Sequence, residues 1–190
     1  PSVAAAGPKQ MDADHPTMIA EFGETMPAYG AGIALAEREL DQAQHDRTSD
    51  VLAVGEAGML VRRSTWHDVE GFDPALPHVD ASLDLGVRIR LAGHRIVVVP
   101  HARVFVHEST PLFARNGTPP SLPARVEARW RRRAQLHRRL VYAPLPAVPL
   151  HWLSLLPLAL LRSILHLLRK RPTLVIGEFV AALAVAFSGT

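Results

Sequence analysis

The sequence contains no cysteine among its 190 residues. This excludes disulfide scaffolds and thiolate metal sites, so any metal ion must be held by histidine or carboxylate side chains. Lysine is nearly absent as well, because Lys9 and Lys170 are the only lysines among 21 basic residues. Neither an internal repeat nor a glycine-rich phosphate-binding loop is present. The chain also lacks an initiator methionine and a targeting segment, and we expect it to be a piece of a longer protein.

The formal net charge of +3 is unevenly spread along the chain. Residues 123–140 carry seven arginines against one acidic residue, Glu127. These arginines are Arg125, Arg129, Arg131, Arg132, Arg133, Arg138 and Arg139. Anionic lipid headgroups and nucleic-acid phosphates both attract such a cluster. An uncharged run of 21 residues follows at 141–161, and this adjacency favours membrane lipids as partners and disfavours nucleic acid.

Composition and periodicity divide the chain into four regions. Residues 1–109 alternate strand and helix patterns and predict an α/β domain with a largely parallel sheet. Strands are predicted over 2–7, 50–63 and 95–100, and helices over 33–46 and 80–91. Residues 110–122 are rich in proline and glycine and predict a linker. Residues 123–140 predict a basic interfacial helix with Trp130, Ala134 and His137 on its apolar face, and residues 141–190 predict membrane-embedded helices.

The membrane segments have more than one possible register. A helix over 141–161 is long enough to cross a bilayer, although it contains four prolines. A helix over 149–168 would instead place Arg162 within the apolar stretch, where it must pair or reach the surface. The run over 173–187 contains Glu178 and is an interfacial or re-entrant helix, or a truncated span. The larger basic cluster precedes the main run, which predicts a cell-membrane protein whose soluble part is cytoplasmic.

Residues 71–100, GFDPALPHVDASLDLGVRIRLAGHRIVVVP, carry the densest pattern in the chain. As local structure, Asp80 stands where an N-cap belongs, and Asp84 precedes Arg88 by four residues, the spacing of a helical ion pair. The apolar residues of one helical face are Leu83, Val87 and Leu91. Gly93 then ends the helix ahead of a β-branched strand. On this interpretation both acidic residues are purely structural.

The order of segments around this window is more specific than any one of them. A strand ending in arginine (GEAGMLVRR, 55–63) precedes a GFDPAL turn (71–76), an acidic helix start (DASLDLGVRIR, 80–90) and LAGHR (91–95). A strand ending in proline (IVVVP, 96–100) and a histidine-containing segment (ARVFVHES, 102–109) follow. This order resembles the C-terminal half of the catalytic domain of family 2 glycosyltransferases of the GT-A fold. The resemblance covers residues 51–109 and more loosely SVAAAGPK at 2–9, and it implies a partial, Rossmann-like GT-A half-domain.

The resemblance implies that the acid at the helix start is the catalytic base, which takes the proton from the acceptor hydroxyl. The family usually carries an acid two residues before the aspartate of its DLxxR motif, where this chain has Ser82. We therefore assign Asp80 as the base and Asp84 as the structural acid that pairs with Arg88, and the reverse order stays open. A helix N-terminus keeps such a carboxylate ionised, although this also weakens it as a base.

A metal role also follows from the resemblance. His107 matches the family histidine that, in some members, joins a divalent ion (Mn²⁺ or Mg²⁺) bound to the nucleotide diphosphate, and its ordinary alternative is a local hydrogen bond. Asp12 and Asp14 imitate the metal-binding DxD motif of the family. In the family, however, that motif lies upstream of the strand that SVAAAG matches, so we interpret these two residues as loop acids.

The substrate-binding candidates are arginines and aromatic residues near the GFD turn. Arg62 and Arg63 are predicted to reach a sugar diphosphate, because guanidinium suits phosphate. Trp66 and Phe72 are predicted to line the acceptor side, because aromatic faces stack on sugars. The ordinary alternatives are solvated arginines at a strand end and a core phenylalanine.

The resemblance therefore implies metal-dependent, inverting transfer from a nucleotide-sugar donor to a lipid-linked or cell-envelope polysaccharide acceptor. The donor-binding half of the domain is missing from the chain, so we expect the isolated chain to be inactive. Two alternatives remain from the residues themselves. One is a non-enzymatic membrane-surface module that docks a partner or anionic lipid through its arginine helix, and the other is a nucleic-acid binder that uses residues 129–139.

Overall fold

The computed structural model describes residues 2–76, 80–107, 124–170 and 172–187. The described residues form two compact units. The first draws on Pro1–Met26, Gly32–Asp73 and Ala81–Ser121, and the second on Pro27–Ala31, Pro74–Asp80 and Leu122–Thr190. The second unit thus includes two short segments from the region that composition assigns to a single α/β domain. The whole of the predicted linker, 110–122, lies outside the described residues.

The first unit is built on a six-stranded sheet. Its strands are β1 (Val3–Asp12), β2 (Met18–Thr25), β3 (Ile33–Leu40), β4 (Asp50–Val51), β5 (Leu60–Val61) and β6 (Arg95–Val106). The strand order is β3-β2-β1-β6-β4, and β5 pairs with β1. Among the described residues only β1 and β6 pair in parallel, so the predicted largely parallel sheet is wrong.

The segment 33–46 is the clearest error of the sequence prediction, because it forms β3 and a loop instead of a helix. Its alanine, glutamate and leucine residues favour a helix by intrinsic propensity. Strand β2 offers it a row of unsatisfied backbone groups, and the two strands pair from Met18↔Leu40 to Thr25↔Ile33. Tertiary pairing therefore overrides local propensity. The predicted strand over 50–63 is likewise reduced to its two ends, because Gly58, at φ +75°, turns the chain between them.

The helices are divided between the two units. The first unit contains α1 (Arg63–Asp68) and α2 (Ala81–Leu91). The second contains α3 (Ala124–Val141), α4 (Val148–Leu153), α5 (Leu155–Leu168) and α6 (Val175–Phe187). Each unit has its own apolar core, centred on Met11, Ile19, Phe22, Leu85 and Ile96 in the first unit. The core of the second unit is formed by Leu136, Leu155, Ala159, Ala181 and Ala182.

Helix α2 is held tightly against the segment before residue 54. A Cβ at Gly86 would lie 2.5 Å from Cβ of Ala53 and 2.7 Å from the carbonyl oxygen of Leu52, so only glycine permits this approach. Gly93, at φ +83°, follows the helix as predicted, and the His94 N–H donates to the Ile89 carbonyl at 3.2 Å. The predicted apolar face holds for Leu83 and Val87, which are buried, but not for Leu91, which is 73% exposed.

The predicted membrane segments form a bent pair of helices and a shorter third helix. Within the described residues, no single helix has the length and apolarity needed to cross a bilayer, and Leu145–Leu153 with Leu155–Leu168 meets both criteria only as a pair bent by 46°. Arg162 lies in α5, and its Nη1 is 3.8 Å from Oε1 of the buried Glu178 in α6. The membrane register of this segment stays a prediction.

Candidate functional site

A cleft in the first unit brings together three of the residues predicted to contact substrate, Arg63, Trp66 and Phe72. Its volume is about 360 Å³. The lining residues are Glu56, Met59, Val61, Arg63, Trp66 and Phe72. The Trp66 and Phe72 rings pack edge to face, with centroids 5.1 Å apart. The cleft therefore presents aromatic surface, a guanidinium and a carboxylate. Aromatic faces stack on sugar rings, and a guanidinium suits phosphate.

The GFD turn shapes one wall of this cleft. Gly71 has φ +66°, and a Cβ at this position would lie 2.7 Å from Cζ2 of Trp66. The Gly71 N–H donates to the Trp66 carbonyl at 2.9 Å. Because glycine alone accepts both the left-handed backbone and the close indole, the turn passes directly against Trp66. The glycine of the motif thus sets the position of the aromatic ring.

Glu56 is the cleft residue that sequence reasoning missed. It stands in the segment GEAG, between Gly55 and Gly58, and is half-buried. The only signal available in the sequence is a charged residue within an otherwise small and apolar run. That signal is weak by itself, because an exposed loop acid gives the same pattern.

Arg62 is engaged differently from its neighbour Arg63. Its backbone N–H donates to the Ala4 carbonyl at 2.7 Å, and its Nη2 donates to the Val3 carbonyl at 2.9 Å. Both contacts fasten the start of α1 to the first residues of β1. Binding of a sugar diphosphate by Arg62 stays a prediction.

Asp84 is buried in the first turn of α2, with its side chain 2% exposed. Its Oδ2 accepts a hydrogen bond from Nε of Arg88 at 2.9 Å, which confirms the predicted ion pair. Nη1 of Arg88 also donates to the Val69 carbonyl. The pair therefore ties α2 to the chain that enters the GFD turn. Removing one partner of such a buried pair leaves an uncompensated charge, which is strongly destabilising.

Ser82, at the position where the family usually carries an acid, lies beside a carboxylate from another element. The Ser82 hydroxyl donates to Oε1 of Glu24 at 3.1 Å, and both side chains are buried. Glu24 comes from β2, and its backbone exchanges hydrogen bonds with Ala53. A carboxylate is thus present next to this position although α2 does not supply it. Sequence reasoning could not find Glu24, because it is 58 residues from Ser82 in the chain.

Asp80 belongs to the second unit and adopts a left-handed backbone with φ +61°. Its Oδ2 accepts a hydrogen bond from Nη2 of Arg138 at 3.0 Å, and its carbonyl oxygen accepts one from Nη1 of Arg138 at 3.2 Å. An N-cap residue has an extended backbone and accepts bonds from the first helical N–H groups. The capping interpretation of Asp80 is therefore wrong, because both its conformation and its partner differ.

His107 follows β6 directly and lies near a residue of the loop after β1. Its Nδ1 is 3.6 Å from Oδ1 of Asp14, and both side chains are more than half exposed. Asp12 instead accepts hydrogen bonds from the N–H groups of Asp14 and His15, which hold the pKa of Asp12 below its usual value. No three histidine or acidic side chains of the described residues are grouped to hold a metal ion. The residues described thus do not form a metal site by themselves.

Sequence analysis did not identify a buried charge cluster in the first unit. Lys9 is fully buried, and its Nζ donates to Oδ1 of Asp41 at 2.8 Å and to Oδ1 of Asp46 at 2.7 Å. Burial alone would lower the pKa of Lys9, but its hydrogen bonds to Asp41 and Asp46 and the negative charges of these two carboxylates together raise that pKa. The cluster fastens the loop after β3 to β1, and we assign it a structural role.

Helix α3 confirms the predicted helix but corrects the predicted role of its arginines. Arg138 is fully buried and Arg132 is nearly so, and Nε of Arg132 donates to Oε2 of Glu178 at 2.8 Å. Arg133 and Arg139 are also engaged inside the second unit, with the Ala75 carbonyl and with His151 and Ser154. Arg125 and Arg131 are exposed. The seven arginines therefore do not form one continuous exposed surface, because four of them bond to partners within the second unit.

Comparison with protein families agrees with the order of motifs and with the mixed α/β architecture of the first unit. A sequence model of the family described as glycosyltransferase like family 2 matches residues 1–135, which is well over half of the chain. A search of curated proteins gave no match. The matched residues include the GFD turn, α2, β6 and the cleft around Trp66. With these segments in the family's order and the family model covering them all, the chain belongs to glycosyltransferase-like family 2.

Proposed function

We propose that this protein takes part in the transfer of a sugar from a nucleotide-sugar donor to a lipid-linked or cell-envelope polysaccharide acceptor. The observation that carries the proposal is the family match over residues 1–135. The cleft around Trp66 supports it, because its aromatic and charged lining suits a sugar or a sugar phosphate. Family membership does not favour the non-enzymatic membrane module, and that alternative becomes an outcome of the test below.

In the proposed reaction Asp80 is the general base. Its carboxylate takes the proton of the acceptor hydroxyl while the hydroxyl oxygen bonds to the anomeric carbon of the donor sugar. The bond from the anomeric carbon to the phosphate oxygen breaks, and the nucleoside diphosphate leaves with the electron pair. One displacement from the opposite face inverts the anomeric configuration. Asp84 serves as the structural acid through Arg88, in keeping with its burial.

Substrate binding is proposed for Arg62, Arg63 and Trp66. The Trp66 ring offers a surface on which a sugar can stack, and the Arg63 guanidinium beside it suits a phosphate or sugar hydroxyl oxygens. Arg62 is the weaker candidate, because its Nη2 donates to the Val3 carbonyl. A divalent metal, Mn²⁺ or Mg²⁺, is expected from the family, and His107 is its proposed ligand. Among the described residues, no three histidine or acidic side chains are grouped to hold such an ion.

We also propose that the second unit anchors the protein to the cell membrane, with the first unit on the cytoplasmic face. Large apolar side chains are exposed along α4 and α5. They include Leu150, Trp152, Leu153, Leu156, Leu160, Leu161, Ile164, Leu165, Leu167 and Leu168. A contiguous apolar surface of this kind is typical of an interaction with lipid or with another protein. The exposed Arg125 and Arg131 on α3 suit anionic headgroups.

The test is a transfer assay with the intact protein that carries this chain. Membranes containing it are incubated with radiolabelled UDP-glucose, UDP-N-acetylglucosamine, GDP-mannose and dTDP-rhamnose, and label in lipid and polysaccharide is counted. We expect transfer from one of these donors, and we expect Asp80→Asn to reduce kcat by about 100- to 10,000-fold, the usual contribution of a general base. Full activity of the variant would refute Asp80 as the base. Membrane binding without transfer from any donor would favour the non-enzymatic module.

A further inference from the structure

Arg138 of helix α3 is buried among protein oxygens, whereas a lipid-binding arginine must be exposed. Arg138 is 0% exposed, and all three groups of its guanidinium donate to protein oxygens. Nη2 bonds to Oδ2 of Asp80 at 3.0 Å, Nη1 to the Asp80 carbonyl at 3.2 Å, and Nε to the Gly30 carbonyl at 3.0 Å. A buried guanidinium needs such partners, because an unpaired charge away from water is strongly destabilising.

The two bonds from Arg138 to Asp80 fix both the backbone and the side chain of that aspartate. The carbonyl bond opposes rotation of the peptide, and the carboxylate bond selects one side-chain orientation. This matters because Asp80 has φ +61°, a conformation that costs a non-glycine residue on the order of 1 kcal/mol or more unless surrounding contacts hold it. Strained residues held in this way are concentrated at functional sites. Within the described part of the chain, Oδ1 of Asp80 has no hydrogen-bond partner, so one oxygen remains to accept a proton.

The Gly30 contact makes the position of Arg138 itself rigid. Gly30 has φ +79°, and a Cβ there would lie 2.7 Å from the Gln135 carbonyl oxygen and 3.0 Å from the Arg139 nitrogen. The 27–31 segment therefore lies directly on the backbone of α3, against the stretch from Gln135 to Arg139 that contains Arg138. Since α3 is held there by close backbone packing, the guanidinium presents a fixed pair of donors to Asp80. Lysine has no planar fork and cannot make the same pair of bonds.

From this geometry we propose that Arg138 is a positioning residue for Asp80. It holds the carboxylate in the orientation from which Oδ1 takes the proton of the acceptor hydroxyl. The inference rests on the proposed function, in which Asp80 is the base. It gives this arginine of α3 a role in the reaction, separate from the lipid contacts of the exposed Arg125 and Arg131.

The experiment compares Arg133 and Arg138, two arginines of α3 that each bond to a residue of the segment Pro74–Asp80. Arg138→Met removes the bonds to Asp80, whereas Arg133→Met removes a bond of 3.2 Å to the Ala75 carbonyl and leaves Asp80 untouched. In the intact protein, with the best donor of the panel above, we expect Arg138→Met to lower kcat by about 10- to 100-fold, since misplacing a reacting group by about 1 Å has an effect of this size. KM for the donor should change less than twofold. Arg133→Met should stay within twofold of the wild type in both constants.

A double-mutant cycle separates positioning from general structural damage. If Arg138 acts through Asp80, adding Arg138→Met to Asp80→Asn will cause no further loss of kcat, whereas independent effects multiply. Hydrogen exchange of the peptides around residues 80–84 supplies a readout without activity, and it should rise in Arg138→Met and not in Arg133→Met. If Arg138→Met does not fold, Arg138→Lys keeps the charge without the fork and should lower kcat about tenfold at an unchanged Tm.

The possible failures are distinguishable. The inference would be overturned, and the proposed function would stand, if Asp80→Asn is inactive while Arg138→Met is fully active. The same holds if the losses of kcat multiply in the double variant. An active Asp80→Asn would overturn the base assignment, and the inference with it. A wild-type protein that transfers no sugar would overturn the proposed function itself.

Discussion

At the scale of single residues, the chain uses buried charge in two different ways. Lys9 is surrounded by Asp41 and Asp46 and holds a loop, whereas Arg138 is aimed at one backbone and one carboxylate oxygen of Asp80. Both cations are fully buried, so each depends on its acidic partners for stability. The Asp80 carboxylate retains exposed surface, 20% of its side chain, which is what a proton acceptor requires.

The buried ion cluster of Lys9, Asp41 and Asp46 predicts that the free energy of unfolding falls at both low and high pH. Burial alone would raise the pKa of Asp41, but the hydrogen bonds from Lys9 and from the Ala43 N–H, together with the charges of Lys9 and Arg103, hold that pKa below 3.8. The contribution of Asp41 to the free energy of unfolding is therefore present above about pH 4 and lost as the pH falls through the lowered pKa. The pKa of Lys9 is raised above 10.5, so its contribution is complete below that pH and lost as the pH rises through the raised pKa.

Urea unfolding of the wild type and of Asp41→Asn between pH 3 and pH 7 measures the acidic limb. We expect the variant to lose about 3 kcal/mol at pH 7, because it removes one partner of a buried ion, and to show a flatter dependence on pH. Asp50→Asn is the matched control, since Asp50 is 40% exposed beside Arg90 and Arg95 and should change stability little. Equal pH dependence in the wild type and Asp41→Asn would contradict the assignment.

At the scale of elements, glycines decide how closely helices pack. Gly86 lets α2 pack on Ala53, and Gly30 lets the 27–31 segment lie on α3. Neither contact is visible in the sequence, because each glycine is distant in the chain from the atoms that it accommodates. The same is true of β3, whose partner strand overrides the helical propensity of residues 33–40.

Gly86→Ala should therefore destabilise the first unit although alanine is the better helix former. The added methyl group would lie 2.5 Å from Cβ of Ala53, and overpacking of this kind typically costs about 1–3 kcal/mol beyond the gain of about 1 kcal/mol in helix propensity. Gly177→Ala in α6 is the matched control, because its nearest neighbour, Cβ of Arg129, is 3.6 Å away. Chemical unfolding followed by circular dichroism should show a lower free energy of unfolding for Gly86→Ala and a higher one for Gly177→Ala than for the wild type. A stabilised Gly86→Ala protein would mean that α2 is not packed this closely.

At the scale of the whole molecule, the two units differ in what they expose. The first unit contains the sheet and a cleft of about 360 Å³. The second unit exposes large apolar side chains along α4 and α5. Exposed arginines accompany these apolar residues in the second unit. This combination is what we expect of a surface that inserts shallowly among anionic lipids.

Vesicle sedimentation tests the membrane proposal. The intact protein should bind vesicles of phosphatidylcholine with phosphatidylglycerol more tightly than vesicles of phosphatidylcholine alone, and salt should weaken the difference. Arg131→Gln should weaken binding to the anionic vesicles about fivefold, the equivalent of about 1 kcal/mol for one charge near the surface. Arg47→Gln, an exposed arginine of the first unit, should bind like the wild type. Equal binding by all three proteins would show that Arg131 does not face the lipid.

The sequence by itself determined the features that depend on neighbours in the chain. These include α2 with its Asp84–Arg88 pair, the stop at Gly93, the long helix α3 and the order of motifs that indicates the family. They are readable because helical pairs, turns and caps involve residues within a few positions of each other. Arg63 and Trp66 precede the GFD turn by a few residues, and substrate binding by them stays a prediction.

Only the tertiary structure decided the features that depend on distant partners. It turned residues 33–40 into a strand, made the sheet mixed, placed Glu24 beside Ser82 and directed Arg138 toward Asp80. A side chain's identity states what it can bond, but not which group 58 residues away will reach it. Whether an arginine contacts solvent, lipid or a buried carboxylate depends on packing that brings the two segments together, and that packing is a property of the folded chain.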